Sequence, residues 1–158
     1  MEEAMAKEIE RKFLVNEQNW GELGDGSAYK QGYIPTSGKA AVRARVAKGK
    51  GFLTIKGPSD GATRAEFEYE IPVQDASEII DSLCLQPAIE KTRYKIKYAE
   101  MIWEVDVFDG ENAGLTLAEV ELEHENQEVE LPDWIREEVT DDERYSNAYL
   151  AQKPFKKW

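Results

Sequence analysis

Acidic and basic side chains recur in this sequence at every second position, and they are sorted by sign from one stretch to the next. EIERKFLV carries Glu8, Glu10 and Lys12; AVRARV carries Arg43 and Arg45; FLTIKG adds Lys56. EFEYEI offers Glu66, Glu68 and Glu70, and KTRYKIK offers Lys91, Arg93, Lys95 and Lys97. WEVDVF offers Glu104 and Asp106, and LAEVELE offers Glu119, Glu121 and Glu123. Like charges in such a run stand about 7 Å apart on one face of a strand and repel. They are best tolerated where counter-charges or metal sit between them, which points to a site for a metal-complexed polyanion. An antiparallel sheet with one solvated face gives the same alternation. That ordinary surface, however, mixes Thr, Ser, Gln and Asn with charges of both signs, often paired across strands. Those neutral types are scarce at the charged positions here.

The alternation predicts strands whose other face is apolar, through Ile9, Phe13, Val42, Val46, Phe67, Tyr69, Val105, Val107, Val120 and Leu122. After the first strand, Asn16 is placed to cap a short helical turn reaching Trp20. Strands follow over 29–35 and 40–47 around a Thr-Ser-Gly turn, then over 52–57 after a tight turn at 48–51, then over 64–73. Asp75 with Glu78 resembles a capping box, and Ile79, Ile80 and Leu83 give helical spacing over 76–85. Strands 90–98 and 101–108 form a hairpin turning near Ala99 and Glu100, and a last strand covers 115–124. Pro132 and Asp133 open a short helix with Trp134, Ile135 and Val139 facing inward, and 144–152 forms a final helix. So many strands in 158 residues predict one mainly β (α+β) domain spanning 1–158. A closed or nearly closed antiparallel barrel is the favoured form, since closure removes exposed edges.

The net charge of −12 argues against nucleic acid and against an anionic membrane, both of which ask for a basic excess. A phosphate ligand is compatible with it only where bases are concentrated locally and divalent cations assist. No run approaches a membrane span, MEEAMAKE has neither basic start nor apolar core, and a lone Cys84 fits a reducing, cytoplasmic setting. Cys84 reads as a small buried hydrophobe, His124 as a surface residue, and the basic tail KPFKKW as solvated.

EIERKFLV carries a Glu-x-Glu-x-Lys signature and is similar to the CYTH superfamily, the triphosphate tunnel metalloenzymes. The resemblance continues in order through KQGYI, VRARV, LTIKG, EFEYEI, EKTRY, WEVDVF, LAEVELE and EVTDDERYSNAYLA, covering nearly the whole chain. It implies an eight-stranded antiparallel closed β-barrel with flanking helices, its tunnel holding a triphosphate on bases and Mg²⁺ or Mn²⁺ on acids. By the same resemblance, Glu8, Glu10, Glu119 and Glu121 are the metal-binding and catalytic acids, and Asp106 assists the metal. Lys12 reaches a phosphate, while Arg43, Arg45, Lys56, Arg93 and, close behind, Lys91 form the phosphate clamps. The resemblance also counts Lys12 among the catalytic residues and Arg64 among those that bind substrate, and Arg64, Glu66, Glu68 and Glu70 sit where the family also carries charge. Lys95, Lys97 and Glu123 fall near strand ends, where solvation is as good a reading, and Tyr33 and Tyr145 are either packing or ligand contacts.

The family includes inorganic, thiamine and nucleoside triphosphatases and class IV adenylate cyclases. The EIERKFLV and KQGYI pattern resembles compact members that cleave inorganic tripolyphosphate to pyrophosphate and phosphate, and this is the expected reaction. No purine-recognition element is evident, and Trp20 and Trp103 are available as an aromatic platform for thiamine, although scattered tryptophans usually serve packing. The non-enzymatic alternative is a phosphate-binding barrel. The expected partner is a small anionic triphosphate, and the protein is a monomer or a homodimer.

Overall fold

The computed structural model describes residues 6–19, 21 and 23–158. Residues 1–5 and Trp20, on which the leader reading, the end of the first helical turn and one aromatic platform candidate fell, lie outside the described residues. Among the described residues the strands are β1 Lys7–Val15, β2 Ser27–Ile34, β3 Ala41–Ala47, β4 Lys50–Lys56, β5 Thr63–Ile71, β6 Ile89–Tyr98, β7 Met101–Phe108, β8 Thr116–Glu121 and β9 Ile135–Glu138. Helix α1 is Val73–Ser82 and α2 is Asn147–Gln152. No described helix is long and apolar enough to cross a membrane.

Eight strands pair in the order β5-β4-β3-β2-β6-β7-β8-β1, and the ring closes where Lys7–Ile9 of β1 meet Thr63–Ala65 of β5. Every pairing is antiparallel. The expected closed eight-stranded barrel is therefore the observed one, with one strand added. Two hairpins close through residues with positive φ at both positions, Lys48 (54°) with Gly49 (76°) and Ala99 (50°) with Glu100 (69°). That turn geometry follows the right-handed twist of the flanking strands.

The apolar core lies mainly outside the ring, because alternate residues point the charged set inward. Phe13, Val15, Trp103, Val105, Ala118, Val120 and Leu122 pack behind β1, β7 and β8, where Trp134 covers them. Trp103 sits against Phe13 and Trp134, with ring centroids 5.6 and 5.8 Å away. A second cluster joins Ile89, Phe108, Leu117 and Tyr33 to Leu150 and Ala151 of α2. Under α1, Ile80 and the free Cys84 pack on Ala44 of β3. On the outer face of β4 and β5, Ile55, Phe67 and Tyr69 remain exposed.

Three elements differ from the sequence expectation. The helix over 76–85 begins earlier, at Val73, and neither Asp75 nor Glu78 caps it. Pro72, with φ −56°, starts it, and the Ala76 amide donates to the Pro72 carbonyl at 3.1 Å. Proline's fixed φ suits a helix entrance and overrides the weaker capping signal. The short helix expected from Pro132 is instead a turn followed by β9, which pairs Val15 with Ile135 and Phe13 with Glu138. Extended β9 puts Glu138 against Arg11 in a two-pronged ion pair of 2.9 and 2.8 Å, which a helix there would forgo. Trp134 and Val139 are nonetheless buried, as expected. The final helix is broken at Ser146, whose Oγ accepts from the Tyr149 amide and caps α2. Asn16 caps its turn as expected, Oδ1 accepting from the Gln18 amide at 3.2 Å.

Gly32 of β2 faces the α1 layer so closely that a Cβ placed there would stand 2.7 Å from Cys84 Cβ. Gly32→Ala should therefore destabilise the protein by about 1–3 kcal/mol, and Cys84→Gly should restore part of the loss. Thermal melts of the two single variants and the double variant measure both effects.

Candidate active site

Because residues two apart share a face, strand register decides which charges meet inside the ring. Starting at the closing seam, Glu8 of β1 is opposite Arg64 of β5, and Glu66 and Glu68 of β5 are opposite Lys56 and Thr54 of β4. Thr54 is opposite Arg43 of β3, which is opposite Tyr33 of β2, while Arg45 is opposite Gln31. Tyr29 of β2 is opposite Lys91 of β6, and Arg93 is opposite Asp106 of β7. Glu104 of β7 faces Glu119 of β8, and Glu119 and Glu121 face Lys12 and Glu10 of β1. One local rule, alternation, thus produces a ring of charge once the strands close.

The ring encloses a cavity of ≈ 280 Å³. It brings together Glu8, Glu10, Lys12, Arg43, Arg45, Lys56, Arg64, Lys91, Arg93, Glu119 and Glu121, with Glu66, Glu68 and Glu104 on the same wall. Lys95, Lys97, Glu70 and Glu123 do not line it. Asp106 does not line it either: it is on the same inward face as Glu104 but 2 % exposed, covered by Lys91 and Arg93. Its two carboxylate oxygens accept from Lys91 Nζ at 2.7 Å and from Arg93 Nε and Nη2 at 2.7 and 2.9 Å. The same lumen opens at the seam into a hollow of ≈ 590 Å³ that shares Glu8, Glu10, Lys12 and Arg64 and is bounded by Asp141, Asp142 and Glu143. A wider surface hollow of ≈ 1040 Å³ beside Glu138 and Arg144 contains none of the inward bases.

Most bases in the lumen are tied to acids. Lys56 Nζ donates to both Glu8 oxygens at 3.1 Å and stands 3.5 Å from Glu66. Arg64 Nε donates to Glu8 Oε1 at 3.2 Å. Arg43 Nη2 donates to Glu68 at 3.4 Å and to Thr54 at 3.2 Å, whereas its buried Nε has no partner. Lys12 Nζ stands 3.4 Å from Glu119 and donates to the Tyr145 carbonyl. Arg93 spans Asp106, Glu104 and Glu119.

Burial and these partners set the charge states. Against burial, Lys56 and Arg64 hold Glu8 below the usual carboxylate range, and Lys12 with Arg93 hold Glu119 well below it. Glu10 is the opposite case: burial, then Glu119 and Glu8, hold its carboxyl well above that range. Burial, then Glu8 and Glu66, also raise Glu121. Lys91 is pushed down to about 7 by burial, which its Asp106 contact does not offset because Arg93 and Arg45 add like charge and Arg93 shares the carboxylate. Against burial, Asp106 raises Arg93 and is itself lowered by Lys91 and Arg93.

Sequence reading missed the neutral residues that support and line this lumen. Gln31 and Thr54 are fully buried. Gln31 Oε1 accepts from Arg45 Nε at 2.7 Å, and Thr54 Oγ1 donates to Glu68 Oε2 at 2.9 Å. Asn147, the first residue of α2, lines the cavity, its Oδ1 accepting from Gln31 Nε2 at 2.9 Å and Lys91 Nζ at 3.0 Å. The available signal was positional: Gln31 is two residues from Tyr29 and Tyr33, and Thr54 two from Lys56, so each shares an inward face. Tyr33 both lines the cavity and packs in the core, and Tyr145 packs beside it. Trp103 is in the core behind β7, out of reach of the lumen, and His124 is exposed.

The CYTH domain family model matches residues 6–153. The chain is 51% identical over 152 residues to an inorganic triphosphatase of Acetivibrio thermocellus, covering 96% of this chain and 97% of that protein. It is 38% identical over 148 residues to an inorganic triphosphatase of Nitrosomonas europaea, covering 91% and 96% of the two chains. A crystal structure of an inorganic triphosphatase superposes with a TM-score of 0.66 at 36% identity, over 91% of this chain and 93% of the other. A crystal structure of a putative adenylate cyclase from Bacillus halodurans shares the fold alone, with a TM-score of 0.62 at 20% identity over 77% and 84% of the chains. With its closed barrel and the ordered acids and bases that barrel turns inward, the chain belongs to the CYTH domain family.

Proposed function

We propose that this protein hydrolyses inorganic triphosphate to pyrophosphate and phosphate inside the barrel, with Mg²⁺ or Mn²⁺ as cofactor. The observation that carries the reading is the lumen itself: seven bases and seven carboxylates from different strands converge on one small cavity. Bases and acids are equal in number there, so a triphosphate with about four negative charges would leave the lumen strongly negative unless cations entered too. The likeness to two inorganic triphosphatases over almost the whole chain supports the same substrate.

The donor set fits a hard cation. Glu8, Glu10, Glu119 and Glu121 present oxygen ligands on the adjacent strands β1 and β8, and Glu10, whose carboxyl burial and then Glu119 and Glu8 hold well above the usual range, is the one that most needs a positive charge beside it. Among the described residues no group of three or more acids, histidines or cysteines is gathered closely enough to hold a metal ion by itself. Substrate oxygens and water would have to fill the remaining positions, which is the habit of Mg²⁺. When bound, such an ion would neutralise phosphate oxygens and polarise the bond that breaks.

The protein's own side chains do the positioning. Arg43, Arg45 and Arg93 offer planar forks that match phosphate oxygens, while Lys12, Lys56, Lys91 and Arg64 add charge around them. Asp106 acts through Lys91 and Arg93 by pinning both against the wall, in place of the metal role the family resemblance implied. Hydrolysis then needs only in-line attack by water in a lumen where the developing charge meets fixed cations, without a covalent nucleophile.

A substrate panel of tripolyphosphate, ATP and thiamine triphosphate, each with Mg²⁺ and Mn²⁺, tests the reading. Metal-dependent release of pyrophosphate and phosphate, fastest from tripolyphosphate, is the expected result. Cyclic AMP from ATP would indicate a cyclase, and absence of any phosphate release would leave a binding barrel. Binding is also expected to stabilise the fold. With Ca²⁺ as a hard cation, tripolyphosphate at a hundredfold excess over Kd should add roughly 2.7 kcal/mol and about 5–10 °C to the melting temperature. Orthophosphate at equal ionic strength should do far less, because it cannot reach bases on several strands at once.

A further inference from the structure

Arg45 differs from the other bases of the lumen. Lys12, Arg43, Lys56, Arg64, Lys91 and Arg93 each stand within ion-pair distance of a carboxylate. Among the described residues Arg45 has no such partner, and its contacts are neutral. Its Nε donates to Gln31 Oε1 at 2.7 Å, and its guanidinium carbon stands 4.9 Å from the centre of the Tyr29 ring. Arg93, from the strand on the other side of β2, reaches the same ring at 4.9 Å. Two guanidinium groups that would otherwise repel therefore share one aromatic ring with a negative face. The Gln31 amide has a defined sense, because its Nε2 donates to Asn147 Oδ1, which also accepts from Lys91. That leaves the Gln31 oxygen directed at Arg45.

We propose that Tyr29 and Gln31 are positioning residues that hold Arg45 in place without neutralising it, so that an incoming triphosphate meets one oriented cation with no acid to displace. The inference rests on the triphosphatase reading and deepens it. A carboxylate partner would orient Arg45 equally well, but the substrate would have to break that ion pair on entry. A neutral amide and a ring fix the fork beforehand and leave its charge for the phosphate, which is preorganisation. Burial, with Arg43 and Arg93 nearby, lowers Arg45 to about 10, so it remains charged near neutral pH. No hydrogen bond of the Tyr29 hydroxyl is seen among the described residues, which makes the ring rather than the hydroxyl the working part.

The test compares steady-state hydrolysis of tripolyphosphate by the wild type, Tyr29→Phe, Tyr29→Leu, Gln31→Glu and protein carrying pentafluorophenylalanine at position 29. Phe keeps the ring and is the conservative rescue, with KM near that of the wild type. Leu removes the ring, and the fluorinated ring keeps its shape but inverts the charge of its face. Each should raise KM by roughly tenfold with a smaller change in kcat. Gln31→Glu gives Arg45 an acid and should raise KM by a similar factor, roughly tenfold. Thermal melts identify any variant that is merely unstable, and the Phe and pentafluorophenylalanine pair, alike in shape, keeps the comparison independent of packing. Equal KM for those two proteins, or wild-type KM for Gln31→Glu, would overturn the proposal. Should the wild type release no phosphate from any triphosphate, the functional reading fails separately. Calorimetric titration of the same variants with tripolyphosphate then decides the role of Tyr29 and Gln31, on the same pattern of affinities.

Discussion

Glu10→Gln is expected to silence hydrolysis while making the metal-free protein more stable. Turnover should fall by more than about a hundredfold, since the change removes a hard oxygen charge from the acidic wall that would receive the cation. The stability effect has the opposite sign because of where Glu10 sits. Burial, then Glu119 and Glu8, hold its carboxyl well above the usual range in the folded state. The folded protein therefore keeps a proton that the unfolded chain has lost, and ionising Glu10 as pH rises through its folded value costs stability. The amide carries no such cost. The metal-free variant should melt above the wild type near neutral pH, and the gap should close at about pH 4, where the unfolded carboxyl is protonated as well. Added Mn²⁺ should raise the melting temperature of the wild type but not of the variant. Full activity in Glu10→Gln would sink the metal assignment, and an unchanged melt at neutral pH would sink the account of its charge.

Arg93→Ala carries the other large effect, on fold and activity together. Arg93 holds the buried Asp106 through two bonds, at 2.7 and 2.9 Å, and also reaches Glu104 and Glu119. Removing it leaves Asp106 with Lys91 alone, and breaking a buried pair from one side costs about 3–5 kcal/mol. Activity should fall by on the order of 100- to 1000-fold, the scale for losing one oriented charge at a reacting centre. A double-mutant cycle separates the two effects. In Arg93→Met with Asp106→Asn, the buried carboxylate goes with Arg93, and Lys91, already pushed down to about 7 by burial, can shed its charge, so part of the stability should return while hydrolysis stays low. Recovery of both would mean that Arg93 serves the fold alone. A single variant that melts like the wild type would contradict the buried ion pair.

Alternation along a strand is a local property, so which residues face the lumen could be read directly from EIERKFLV, AVRARV, KTRYKIK and LAEVELE. The strands themselves and the hairpin turn at Ala99–Glu100 were legible for the same reason. Neighbours across strands were not. Glu8 meets Arg64 only because the ring closes at Lys7–Ile9 and Thr63–Ala65, a register between segments some fifty residues apart. The family resemblance implied that Asp106 assists the metal; what only the β6–β7 register shows is that it lies beneath Lys91 and Arg93, with both its oxygens accepting from them. β9 was read as a helix because four residues carry too little pattern to tell the two apart, and the open edge of β1 decided the matter. The neutral members escaped notice because nothing in their type marks them. Gln31 and Asn147 lie 116 positions apart, and only the docking of α2 against β2 brings one amide to the other. Local geometry determines the direction of a side chain. Its partner depends on which distant strand or helix the closed barrel sets beside it, and in this protein that choice separates a charge left free for phosphate from one already neutralised.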